Sequence, residues 1–186
     1  AHVLNPALAS MEAELGRRNR FSCMLAALLA VTAWEGGRPA EAAALLADRL
    51  DIIEHSGLPE ALLLAYRTAA RIALADGAEH RALELLGGLD ATAAARGLPR
   101  LRVASLLEQV RLHARAYRAQ TCRHLCVQID ALIQAESDAH GTPLHGPLWQ
   151  RNVQSLRDQA LGYCAIAAKE WREALAPLAR ADEYAR

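Results

Sequence analysis

Residues 57–59 read Gly57-Leu58-Pro59, and residues 97–99 read Gly97-Leu98-Pro99. The same offset of 40 residues pairs Gly37 with Gly77, Ala42 with Ala82, Leu45-Leu46 with Leu85-Leu86, and Arg71 with Arg111. Matches at one shift, spread over a whole unit, mark an internal repeat, and a period of roughly 20–50 residues is the signature of stacked repeat architectures.

Within each unit the apolar residues fall at helical spacing. Ala42, Leu45, Leu46, Leu50 and Ile53 form an i, i+3, i+4 stripe over residues 39–56, which predicts one helix. Gly57 stops it, and Pro59 sits in the first turn of the next, where a missing N–H costs nothing. That second helix runs to about Ala75, ahead of Asp76-Gly77. The next pair covers 78–96 and 99–116, with Ala82, Leu85, Leu86, Leu89 and Ala93 repeating the stripe.

A third copy continues at the same offset, with Cys122, Leu125 and Cys126 in the register of Ala82, Leu85 and Leu86. Its helix reaches about Ala139, and the segment from His140 to Gly146 is the largest break. Pro147 opens a helix to about Ala168, and Glu170-Trp171-Arg172-Glu173-Ala174-Leu175 opens the last, with Pro177 expected to kink it or delay its start. Upstream, residues 5–17 and 20–35 supply two more helices. The expectation is about nine helices in one domain over 1–186. As antiparallel pairs they cannot bury their apolar faces alone, so they are expected to stack into a superhelix with a concave groove.

Composition agrees. Hydrophobic residues make up 53% of the chain, and much of that is Ala and Leu, which favour helix over strand. Charge is balanced, with 21 basic and 21 acidic residues. No basic excess marks a nucleic-acid face, which argues against direct DNA or RNA binding. The richest apolar run, Met24 to Val31, is far shorter than the roughly 20 residues that span a bilayer. The start, Ala1-His2-Val3, has no basic leader region, so the chain is expected to be a piece of a longer cytoplasmic protein.

The unit resembles the tetratricopeptide repeat. Gly37-Arg38-Pro39-Ala40-Glu41-Ala42 and Lys169-Glu170-Trp171-Arg172-Glu173-Ala174-Leu175 look like that family's second helix, and Leu161-Gly162 sits where its first helix carries Leu-Gly. The family's standard period is about 34 residues, and about 40 also falls near the HEAT range. HEAT proline and Asp/Arg positions are not found, so that reading ranks second. The resemblance implies a right-handed solenoid of antiparallel helix pairs.

Long-helix units of this kind are similar to the sensor region of large ATP-dependent LuxR-family regulators related to the maltose-regulon activator. Ala95-Arg96-Gly97-Leu98-Pro99-Arg100-Leu101-Arg102-Val103 carries most of that similarity. It implies a region that binds a small-molecule inducer or a protein in its groove and shifts the parent's self-association. The alternative is an adaptor scaffold gripping a peptide. Nucleotide and DNA binding would belong to flanking modules, since no G-x-x-x-x-G-K-[ST] segment is present.

The tetratricopeptide register places Arg71 and Arg111 on groove-facing positions of first helices, with Tyr163 equivalent in a later unit and Arg67 and Gln159 one turn before. These five are the candidate ligand-binding residues, suited to an anionic or polyhydroxylated ligand, against the alternative that each arginine braces a neighbouring helix. No catalytic spacing is present among the seven histidines, and no G-x-S-x-G elbow, so no catalytic residue is assigned. Cys122 and Cys126 at i, i+4 could face a metal, but no second Cys/His pair follows at zinc spacing, and buried packing is expected instead, with no metal and no cofactor. Trp171 matches an aromatic packing position of the repeat and is expected in the core; Trp149 is read as core or rim packing.

Overall fold

The computed structural model describes residues 4–139 and 147–185. Among them the protein is entirely helical, in ten helices with no strand. They are α1 (Leu4–Leu15), α2 (Arg20–Glu35), α3 (Pro39–Leu46), α4 (Leu50–Ser56), α5 (Pro59–Ala75), α6 (Glu79–Ala95), α7 (Pro99–Arg115), α8 (Ala119–Ala139), α9 (Pro147–Ala167) and α10 (Trp171–Ala185). The expected break at 140–146, with His140 and His145, lies outside the described residues, as does the side chain of Trp149.

The repeat is written most plainly in the turns. Gly37, Gly77 and Tyr117, each 40 residues from the next, all take left-handed backbone, at φ 71°, 76° and 52°. Each turn closes with the same pair of backbone bonds. Arg38, Ala78 and Arg118 donate to the carbonyls of Ala33, Ala73 and His113, while Gly37, Gly77 and Tyr117 donate to Trp34, Leu74 and Ala114. This is the Schellman motif, which satisfies the last carbonyls of the helix and requires a left-handed residue just beyond it. Glycine takes that conformation without cost and tyrosine does not.

The offset fails at one quoted pair. Gly97 is left-handed at φ 61°, but Gly57 holds extended backbone at φ −74°. Gly57 is needed there for a different reason: a Cβ would stand 2.4 Å from the carbonyl oxygen of Ile53.

That difference belongs to a correction. Residues 39–56 do not form one helix but α3 and α4, parted at Ala47-Asp48-Arg49, which raises the helix total above the nine expected. Asp48 is left-handed at φ 57°, and Arg49 is 1% exposed. Arg49 falls within the apolar stripe between Leu46 and Ile53, so burying that face buries a guanidinium, which must find partners. Glu12 of α1 pairs with it, and the Ser22 carbonyl of α2 accepts from it at 3.3 Å. The break frees the last carbonyls of α3. Arg17 donates to the carbonyls of Ala44 and Ala47 at 3.1 and 3.3 Å, and Arg18 to that of Asp48 at 2.6 Å.

The chain divides into two compact units, Ala1–Thr92 and Ala93–Arg186. In the first, α2 is the central element, and its Ala26, Ala27, Ala30 and Ala33 are at most 1% exposed. Small side chains let α3, α4 and α5 lie close against it. Glu54 of α4 ties this unit together by accepting from Tyr66 of α5 at 2.9 Å and Thr92 of α6 at 2.8 Å.

In the second unit α7 packs on α8 and α9, and α9 on α10. Its core joins Leu106, Leu107 and Val110 of α7 to Leu125 and Ile129 of α8 and Val153 of α9. Gly162 allows the approach of α10, since a Cβ there would stand 2.5 Å from Cγ of Leu178.

The structure bears on two further expectations about α10. Trp171 is 55% exposed rather than core, because it heads the helix while Ala174, Pro177 and Ala181 form the buried face. Pro177 does not delay the helix, which begins at Trp171 and continues through it.

Candidate functional site

Three of the five candidate groove residues meet in the second unit. Arg111 projects from α7 toward α9, where Ser155, Gln159 and Tyr163 follow one another at successive turns. Its Nη2 donates to Oε1 of Gln159 at 2.5 Å, and its guanidinium carbon lies 5.3 Å from the centre of the Tyr163 ring. On its own helix, Nη1 pairs with Oε1 of Glu108 at 2.5 Å. Gln159 donates onward to Ser155 Oγ at 3.3 Å, and Ser155 donates to the carbonyl of Ala181 at 3.1 Å. One hydrogen-bonded line therefore crosses α7, α9 and α10.

The surroundings of Arg111 decide what this line can do. Its side chain is 26% exposed and that of Glu108 11%, and both terminal nitrogens are occupied. An incoming anion would have to displace Glu108 or Gln159. The cluster is therefore first a brace between helices, of the kind bidentate arginine geometry favours. Arg67 and Arg71 lie one turn apart on α5 in the other unit, both half-buried. Arg71 makes no hydrogen bond or ion pair among the described residues.

The cysteines pack. Cys122 is fully buried and Cys126 is 7% exposed, both in the core of the second unit, and the Cys122 thiol points at the carbonyl of Val110, 3.7 Å away. Cys164 of α9, which sequence spacing did not connect to them, packs against the same core cluster. Burial, with Cys164 beside them, pushes the Cys122 thiol up to about 11 and the Cys126 thiol up to about 12. His124 is exposed and faces Gln128 at 3.0 Å. Among the described residues no three His, Cys, Asp or Glu side chains are arranged to hold a metal ion.

Sequence reasoning missed Glu108, Ser155 and Arg49. Glu108 carried a legible signal, since it precedes Arg111 by three residues on one helix face. Arg49 carried another, as a charge inside an apolar stripe. Ser155 carried none.

No family model, no curated protein and no solved structure matches the chain.

Proposed function

We propose that this chain is the binding region of a larger bacterial regulator of the LuxR type, a helical-repeat sensor that holds an effector or a protein partner and catalyses nothing. The observation that carries this reading is the recurrence of one Schellman turn at Gly37, Gly77 and Tyr117. The same turn also closes the helices at Gly97 and Lys169, so one kind of turn joins successive helices as hairpins, and repeated hairpins stack into right-handed solenoids whose inner walls serve as binding surfaces.

In this reading the binding residues are Arg67 and Arg71 in the first unit and Arg111, Gln159 and Tyr163 in the second. The effector acts only through differential affinity, by binding one self-association state of the parent more tightly than another. The cytoplasm is the compartment where such a regulator works, and no described helix is long and apolar enough to cross a membrane.

The gene provides the test. The reading expects coding sequence for a nucleotide-binding module before residue 1 and for a helix-turn-helix module after residue 186. If neither is there, the regulator reading falls and the chain is an adaptor scaffold.

A further inference from the structure

The first unit holds a cleft of about 450 Å³ that none of the candidate residues lines. Leu46 of α3, Ala69 and Ile72 of α5 and Leu85 of α6 make its walls mostly apolar, with Arg49, Arg81 and three aspartates also lining it. That volume is in the lower part of the range that small-molecule sites occupy. One edge of the cleft is the Ala47-Asp48-Arg49 turn that parts α3 from α4.

The charged groups around it are mostly spent. Arg49 pairs with Glu12, Asp51 with Arg18 at 2.5 Å, and Arg81 with Glu84 at 3.2 Å. Two carboxylates remain. Asp48 and Asp76 both border the cleft, and neither side chain has a hydrogen-bond or ion-pair partner among the described residues. Their backbones are pinned all the same. Arg18 donates to the Asp48 carbonyl at 2.6 Å, and the Asp76 N–H donates to the Ile72 carbonyl at 3.0 Å as the cap of α5.

Apolar walls, two unpaired carboxylates held on fixed backbone, and no unpaired cation define a complement. We infer that this cleft binds a small organic cation: an amine with an alkyl or aryl body, its carbon skeleton between α3 and α5 and its ammonium at Asp48 and Asp76. Anions meet two like charges at the rim, and neutral alcohols gain only the walls. Because their backbones are already held, only the two short side chains must order on binding, which favours capture by a partner of the right charge. The inference stands apart from the regulator reading, and neither depends on the other.

The test uses the full chain with hexylammonium, hexanoate and hexanol as probes, each titrated at low ionic strength and followed by calorimetry or by chemical-shift changes. The expected result is saturable binding of hexylammonium at least tenfold tighter than either other probe and weakening as salt rises. Asp48→Asn combined with Asp76→Asn should lose at least tenfold in hexylammonium affinity while leaving hexanol unchanged. Asn is among the residues that tolerate the left-handed conformation of residue 48, so this variant keeps the fold. Ile72→Trp, which fills the cleft, should abolish binding of the amine. Equal binding of all three probes, preference for hexanoate, no binding of hexylammonium, or an asparagine variant with undiminished amine affinity would each overturn the inference.

Discussion

At the scale of single residues, the two arginines paired by the repeat part company. Arg71 is half-buried with no partner among the described residues, whereas Arg111 is held by Glu108, Gln159 and the Tyr163 ring. Arg111→Ala should therefore cost about 1–3 kcal/mol in urea unfolding, chiefly because Glu108 is left nearly buried without its counter-charge. Arg111→Lys should recover little of it, since an ammonium lacks the planar fork that spans both partners. Arg71→Ala should leave the unfolding midpoint near that of the parent chain. The thiols give a second expectation at this scale. Burial, with Cys164 beside it, pushes Cys126 up to about 12, so the folded chain keeps that proton where an unfolded thiol loses it. Stability from Cys126 is then fully present below the ordinary thiol value of about 8.5 and is lost as pH rises from there toward 12. Unfolding curves across alkaline pH should show that decline, and Cys126→Ala should flatten it.

Among elements, the helix ends and close approaches carry the tests. Gly77 sits left-handed at φ 76°, so Gly77→Ala should destabilise by roughly 1–2 kcal/mol through Cβ strain. Gly87 lies inside α6 with open space where its Cβ would be, and Gly87→Ala should stabilise by about 0.5–1 kcal/mol. Thermal unfolding of the two variants should move in opposite directions. Between α9 and α10, Gly162→Ala forces Leu178 aside. The strain of roughly 1–3 kcal/mol exceeds the propensity gain of about 1 kcal/mol, so net destabilisation is expected. The same substitution made beside Leu178→Ala should cost less, and a double-mutant cycle measures the difference. The extents of α5 to α9 were legible because Pro59, Pro99 and Pro147 open helices and Gly77 and Gly97 close them. The α3–α4 break was not, because the groups that stabilise it, Arg17, Arg18 and Glu12, lie some thirty residues or more away in sequence.

Over the whole molecule, the described residues hold helix and no strand, and far-ultraviolet circular dichroism should show the double minimum of α-helix without a strand component. A clear strand contribution would remove the basis for every register argument above. The two units differ in how they handle buried polarity. The first buries a guanidinium at Arg49 and gathers Tyr66 and Thr92 on Glu54, while the second buries a carboxylate at Asp158, paired with Arg180, and runs a line from Gln159 through Ser155 to a carbonyl of α10. Burial of Tyr66, with its hydroxyl bonded to the Glu54 carboxylate, pushes that phenol above its usual value, so it stays a donor throughout the ordinary pH range.

Sequence alone determined the helical class, the 40-residue period and the turn at Gly77, because those follow from local chemistry: an apolar repeat of 3.6 residues, proline that opens helices and glycine that turns left-handed. It also placed Gln159 and Tyr163 one turn apart on one helix. Only tertiary structure decided that Arg111 lies against them, that Cys164 completes the buried thiol group, that Trp171 faces outward, and that a cleft opens beside Asp48 and Asp76. Each of those depends on which helix faces which. Helix packing is set by the sum of many small burial terms over distant residues, and no single stretch of the chain contains that sum.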